Sequence, residues 1–158
     1  MDFDGSAGML PPPHPALRKL DRFVGTWDMR GRTLDSSEDN VVGKTTFEWL
    51  PGGYFLLQRG TIDFGGFQVG THELIGYDPE TDAFPSTVYP SMAGRTLPYV
   101  WKVDDDLVIE TEYVGATFRG RWSDDGKVFS GGWRPNPGRE NDPGNIPYDI
   151  WGSRASGS

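Results

Sequence analysis

The stretch THELIGYD (71–78) places the two side chains best suited to acid–base chemistry next to each other, His72 and Glu73. Imidazole titrates near neutral pH, and a buried carboxyl can serve as a general base or a ligand anchor. Strand alternation separates the pair, because Glu73 is in phase with Phe67 and Ile75 on the more apolar face. We expect Glu73 inside and His72 outside, unless a bulge at the nearby glycines reverses them.

Each of these two residues has a simpler interpretation as well. His72 could be exposed or hydrogen-bonded without a chemical role, and Glu73 could pair with an Arg of the same wall. Whichever residue points inward is our candidate catalytic base or ligand anchor.

A second set of residues could form the wall of a binding pocket. Gln58 is in phase with Tyr54 and Leu56 and is expected on the same face. Large aromatic side chains recur along the chain and suit a flat or apolar ligand, although they could equally pack on either face of a sheet. This aromatic set comprises Phe47, Trp49, Tyr54, Tyr99, Trp101, Tyr113, Trp133 and Trp151.

Other charged pairs alternate with apolar residues and are expected to face solvent. Glu110 and Glu112 share one face of their segment, and Arg119 and Arg121 share one face of theirs. If inverted, the glutamates could perform acid–base work and the arginines could bind an anion.

The sequence predicts no metal site and no cofactor. HExxH, GxSxG and Walker motifs are missing, and the chain has no Cys, which excludes thiolate chemistry and Cys-ligated metals.

The elements that position these residues are predicted to be strands. Aromatics make up 13% of the chain, and 22 Gly and 13 Pro punctuate it, which is typical of an all-β protein. Short turns permit only antiparallel neighbours, so about ten strands form an up-and-down meander that closes into a barrel. The predicted strands begin at Thr26 and continue at 44–50, 53–62, 67–78, 83–89, 96–103, 106–114, 116–123, 127–135 and 147–154.

A short helix precedes the first strand. Pro15 suits a first helical turn, the apolar stripe Leu17, Leu20 and Val24 follows, and Gly25 ends the helix. We predict one barrel domain over 15–154, a flexible arm over 1–14 and a disordered tail over 155–158. The long connection 136–146 is either a solvent-exposed loop or a flap over the barrel mouth.

The net charge of −8 disfavours nucleic acid and anionic membranes as partners. The first residues lack the basic and apolar regions of a signal peptide, and no apolar run reaches the length of a membrane span. A cytoplasmic location is therefore expected.

A short helix followed by Gly-x-Trp and an antiparallel barrel resembles the calycin superfamily, which includes the lipocalins. The resemblance implies that the helix closes one end of the barrel, that Trp27 after Gly25 plugs it, and that Arg154 lies across the indole. The pieces LRKLDRFVGTWD, IGYDPETDAF and WSDDGKVFSGGW also resemble a bacterial family of unknown function over residues 16–154.

More distantly, the chain is similar to nitrobindin-type barrels, which bind haem through a His late in the chain. No His follows His72, so the resemblance does not carry the haem ligand with it.

These observations predict a protein that binds a small hydrophobic or aromatic molecule. The alternatives are a cofactor-independent isomerase, cyclase or hydratase, with His72 or Glu73 as base beside a Tyr or Arg, and a haem-binding barrel. A homodimer formed through the outer sheet face is a third kind of role.

Overall fold

The computed structural model describes residues 11–155, which form one 3₁₀ helix and ten antiparallel strands. The predicted all-β barrel with a short N-terminal helix is confirmed. The elements are the helix Pro15–Phe23 and the strands β1 (Gly25–Thr33), β2 (Val41–Trp49), β3 (Leu56–Phe64), β4 (Phe67–Ile75), β5 (Phe84–Pro90), β6 (Leu97–Val103), β7 (Asp106–Thr111), β8 (Ala116–Trp122), β9 (Val128–Pro135) and β10 (Tyr148–Arg154).

The sheet closes on itself. Each strand pairs with its neighbours in sequence, and β1 also pairs with β10, with Trp27 opposite Arg154 and Gly31 opposite Ile150. Closure removes the free edges that a ten-stranded meander would otherwise expose.

Strict alternation separates the inside of the barrel from the outside. Along β1, Trp27 and Met29 are buried, whereas Asp28 and Arg30 are exposed. The core is thus a single cluster of apolar side chains that the strands project inward, with the helix added at one end.

The helix buries one row of side chains at a spacing of three residues. Leu17, Leu20 and Phe23 are buried, as expected for a helix with three residues per turn. Val24, which the sequence placed in this stripe, is instead 36% exposed, because it lies beyond the last helical turn. Within residues 11–155, no helix has the length and hydropathy that crossing a membrane requires.

Trp27 and Arg154 fasten the helix to the barrel. The Trp27 indole donates a 2.8 Å hydrogen bond to the carbonyl oxygen of Phe23, and the Arg154 guanidinium lies 4.4 Å from the indole centre. One Arg154 nitrogen donates to the Val24 carbonyl at 2.7 Å, and another donates to a carbonyl of the last helical turn at 2.6 Å. Gly25 turns the chain into β1 with a φ of 123°.

The long connection between β9 and β10 is held against the turn between β7 and β8. Arg139 donates to the carbonyls of Glu112 and Tyr113, and the buried Asn145 amide donates to Val114 and Gly115. The connection is therefore a loop anchored to its neighbour.

The described parts of the predicted arm and tail, 11–14 and 155, make hydrogen bonds to neighbouring residues. The carbonyl of Pro11 accepts a hydrogen bond from Tyr54, and His14 caps the helix by accepting from Ala16. Ala155 donates to Thr26 at 2.9 Å. The rest of the predicted arm and tail, 1–10 and 156–158, lies outside the described residues.

Candidate functional site

The barrel holds a partly open cavity of about 170 Å³, lined at one end by Phe23 of the helix. Its wall is mainly apolar, with aromatic residues as half of its lining, and it has few polar groups, as expected for a small-molecule site. The aromatic walls include Phe23, Phe47, Trp101, Phe118, Phe129 and Trp133.

Glu73 of β4 is the one charged side chain that lines this cavity among the described residues. It is only 8% exposed, because strand alternation directs its side chain into the barrel. Its Oε2 accepts a 2.6 Å hydrogen bond from the Ser86 hydroxyl and a 2.8 Å hydrogen bond from the Trp101 indole. Oε1 makes no hydrogen bond within the described residues.

Burial raises the pKa of Glu73 from 4.5 to about 7, although the hydrogen bonds from Ser86 and Trp101 act in the opposite direction. No Lys, Arg or His contributes to this balance. At neutral pH the carboxyl is thus close to half ionised, which suits a group that exchanges a proton or meets a charged ligand.

A second polar group faces Glu73 across the strands. Gln58 lies directly opposite it in the β3–β4 register and is 9% exposed. The Gln58 amide donates to the Thr45 hydroxyl at 2.6 Å, and its oxygen accepts from Thr71 at 3.2 Å. Three strands therefore hold this amide in place beside the cavity.

Two tyrosines complete the polar side of the interior. Burial raises the pKa of Tyr99 to about 12, with a smaller contribution from the charge of Glu73. Burial also raises the pKa of Tyr148, and the nearby Tyr99 adds to the shift. Both phenols therefore keep their protons at neutral pH and can donate hydrogen bonds. Tyr148 lines the cavity, and the Tyr99 ring packs on Trp133 at 5.9 Å.

Residues 12–124 match the model of a family described as a protein of unknown function, DUF1579. The chain belongs to this family. The match includes Gln58, Glu73 and Trp101 of the cavity, whereas β9 and β10 lie beyond it. No curated protein matches the sequence.

In this DUF1579 chain, His72 lies outside the cavity. The β3–β4 register runs without a bulge from Leu56 opposite Ile75 to Phe64 opposite Phe67, so His72 faces outward and is exposed. It lies in an open groove of about 460 Å³ on the outer wall, together with Lys44, Arg59 and Tyr89.

Three of the predicted wall residues, Phe47, Trp101 and Gln58, line the cavity, and Tyr99 lies next to it. Trp49 is directed to the helix, where its indole donates to Asp21 at 2.9 Å. Trp133, also in the aromatic set, lines the cavity.

Tyr54 and Tyr113 lie outside the barrel, contrary to the predicted phase. β3 begins at Leu56 and β7 ends at Thr111, so both tyrosines fall in turns and are 40% and 49% exposed. The Tyr54 hydroxyl donates to Pro11, and Arg95 lies 4.3 Å over the ring of Tyr113. Trp151 pairs with the outward Arg30 and does not line the cavity.

Several residues of the site were not predicted from the sequence. Ser86 is in phase with Phe84 and Val88, and Tyr148 is in phase with Ile150, so the period of two contained the signal for both. Thr45 is in phase with Phe47 in the same way.

The cavity does not suit the haem that the nitrobindin resemblance would imply. A volume of about 170 Å³ falls below the roughly 300–1,000 Å³ of pockets for drug-sized ligands. His72 is on the outer wall, and His14 caps the helix and packs against Tyr77 with their ring centres 4.6 Å apart. In the described part of the chain, no three His, Asp or Glu side chains cluster as a metal site.

The arrangement can hold a compact apolar body and present it with the Glu73 carboxyl, the Gln58 amide and the Tyr148 phenol, with the Tyr99 phenol next to the cavity. The carboxyl can accept a hydrogen bond or a proton, the amide can accept and donate hydrogen bonds, and the phenols can donate hydrogen bonds. Its chemistry is therefore that of recognition or of proton transfer.

Proposed function

We propose that this protein binds a compact, mostly apolar small molecule inside its barrel. The observation that carries the proposal is the aromatic-walled cavity with a few convergent polar groups. Cavity volume limits the size of the ligand. An apolar cavity of roughly 150 Å³ can hold benzene, so about 170 Å³ suits one ring with a small substituent.

Kinship with the calycins is part of the same proposal. It is supported by the helix over one end, by the buried Trp27 after Gly25, and by Arg154 across the indole. Calycin-like barrels bind small molecules in their interior, so this kinship favours a ligand in the cavity over one on the outer wall.

Tryptophan fluorescence tests the proposal directly, because Trp27, Trp101 and Trp133 line the cavity. We expect a saturable change in emission on titration with compact neutral probes such as toluene or benzyl alcohol. Mass spectrometry of untreated protein should detect any molecule that remains bound through purification.

A cavity-filling variant supplies the control. Ile109→Phe adds a ring to the wall and should abolish the fluorescence change, whereas Val42→Phe, on the outer face, should leave it intact. If no compact probe changes the emission of the unmodified protein and nothing co-purifies, the proposed binding function is wrong.

A second candidate function is proton-transfer catalysis without a cofactor. It is favoured by a buried carboxyl whose pKa is about 7, with the Tyr99 and Tyr148 phenols nearby as hydrogen-bond donors. Under this function Glu73→Gln should retain substrate binding and lose turnover.

The remaining expectations stay predictions. The net charge of −8 supports the expectation that nucleic acid and anionic membranes are not partners. The cytoplasmic location and the homodimer have no further support.

A further inference from the structure

The Glu73 carboxyl is buried in the cavity wall without a cation. Within the described residues no Lys, Arg or His pairs with it, and the nearby Arg59 of β3 faces outward, where it pairs with Glu48. The titratable groups that face Glu73 from the packed strands are Tyr99 of β6 and, beyond it, Tyr148 of β10. Both are neutral phenols, so the wall leaves the carboxylate charge unbalanced.

The hydrogen bonds to Glu73 favour its ionised form, because they act to lower the pKa of the carboxyl. Both donors, the Ser86 hydroxyl and the Trp101 indole, reach the same oxygen, Oε2. An indole N–H can only donate, so it requires an acceptor. Oε1 is left with its acceptor capacity unused, and Glu73 lines the cavity.

A buried carboxylate is costly unless a hydrogen-bonded cation accompanies it. The protein supplies the donors for one oxygen only. A cation entering the cavity would complete the pair.

We infer that the ligand is a compact amine, bound in its protonated form with its ammonium group donating to Oε1 of Glu73. Its apolar body lies against the aromatic walls. This inference rests on the proposed binding function and adds the chemical class of the ligand.

A neutral carbonyl compound is the alternative class of ligand, because it would accept a hydrogen bond from protonated Glu73. The two classes differ in their pH dependence. Amine binding strengthens as pH rises and the carboxyl ionises, whereas carbonyl binding strengthens as pH falls. An alkylamine keeps its proton up to about pH 10, as Lys does. The ionisation of the Glu73 carboxyl therefore determines how amine affinity changes with pH near neutrality.

The test compares benzylamine with benzyl alcohol and benzaldehyde at about pH 5 and about pH 8 by calorimetry and tryptophan fluorescence. A carboxyl with a pKa of about 7 is about 1% ionised at about pH 5. We therefore expect benzylamine to bind about 100-fold more tightly at the higher pH. Benzyl alcohol should show little change.

Glu73→Gln keeps the shape of the side chain and removes its charge. It should weaken the binding of benzylamine at about pH 8 by roughly 30-fold or more and remove the pH dependence of that binding. The binding of benzyl alcohol should stay unchanged. Retained alcohol binding also shows that the variant is folded. Glu80→Gln, an exposed change of the same kind, is the matched control and should have no effect.

Ser86→Ala tests the same inference if Glu73→Gln does not fold. It removes one donor to Oε2, so the carboxylate is less stabilised and the midpoint of amine binding should move to higher pH.

The outcomes separate the inference from the proposed function. If the alcohol or the aldehyde binds as tightly as the amine, the amine inference is wrong and the binding function stands. The same conclusion follows if benzylamine binding tightens toward about pH 5. If none of the three probes binds, the amine inference is wrong, and the binding function is wrong as well only if toluene also leaves the emission unchanged and nothing co-purifies.

Discussion

Glu73 makes the stability of the protein depend on pH. Its pKa is 4.5 in an open chain and about 7 in the folded protein, so the folded state holds this proton more tightly. The resulting stabilisation is complete below about pH 4.5 and is lost as pH rises through about 7. The loss amounts to about 3 kcal/mol in the free energy of unfolding.

Urea denaturation at a series of pH values measures this contribution. The free energy of unfolding of the unmodified protein should fall relative to Glu73→Gln across this pH range, whereas Glu80→Gln should follow the unmodified protein. A constant difference between the unmodified protein and Glu73→Gln would show that the carboxyl is not held in a desolvated state.

Side-chain direction could be predicted from sequence only where a strand continues on both sides. Gln58 and Glu73 lie in the middle of β3 and β4, so the period of two placed both correctly. Tyr54 and Tyr113 were misplaced because glycines end the pairing nearby. Gly52, Gly53 and Gly115 all have positive φ, and a strand's alternation does not reveal where such a turn begins.

At the scale of elements, Arg154 joins the last strand to the helix. It donates to two carbonyls at the end of the helix and covers the Trp27 indole. Arg154→Met keeps much of the apolar stem and removes these interactions, so we expect a loss of about 1–2 kcal/mol in the free energy of unfolding.

Arg30→Met is the matched control, because Arg30 is exposed on the outer face of β1. The free energy of unfolding of Arg30→Met should stay within about 0.5 kcal/mol of that of the unmodified protein. Equal effects of the two changes in urea denaturation would contradict a specific role for Arg154 in holding the helix.

The type of helix could not be predicted from its apolar residues. Leu17 and Leu20 fit a period of 3.0 as well as 3.6, and the next member is Phe23 in one case and Val24 in the other. Packing decides between them, because the Phe23 ring contacts Phe47 and Trp101 inside the barrel at 5.4 and 5.3 Å.

At the scale of the whole molecule, strand number and closure could be predicted, but the size of the cavity could not. Ten strands leave room for a larger interior than about 170 Å³. Two features reduce it. Large aromatic rings project inward, and inward glycines let neighbouring strands approach closely. A Cβ added at Gly31 would overlap the Asp149 carbonyl, and one at Gly43 would overlap the Thr61 carbonyl.

Gly31→Ala tests whether this close approach is required for closure. Gly31 lies between β10 and β2, so a methyl group there forces the strands apart at the β1–β10 pairing that closes the ring. We expect a loss of about 3 kcal/mol or more in the free energy of unfolding, in the range of severe overpacking. Gly94→Ala, in the β5–β6 connection with open space around it, should change stability by less than about 0.5 kcal/mol. If urea denaturation finds the two variants equally stable, the strands at Gly31 can separate at little cost, and the aromatic side chains alone limit the cavity.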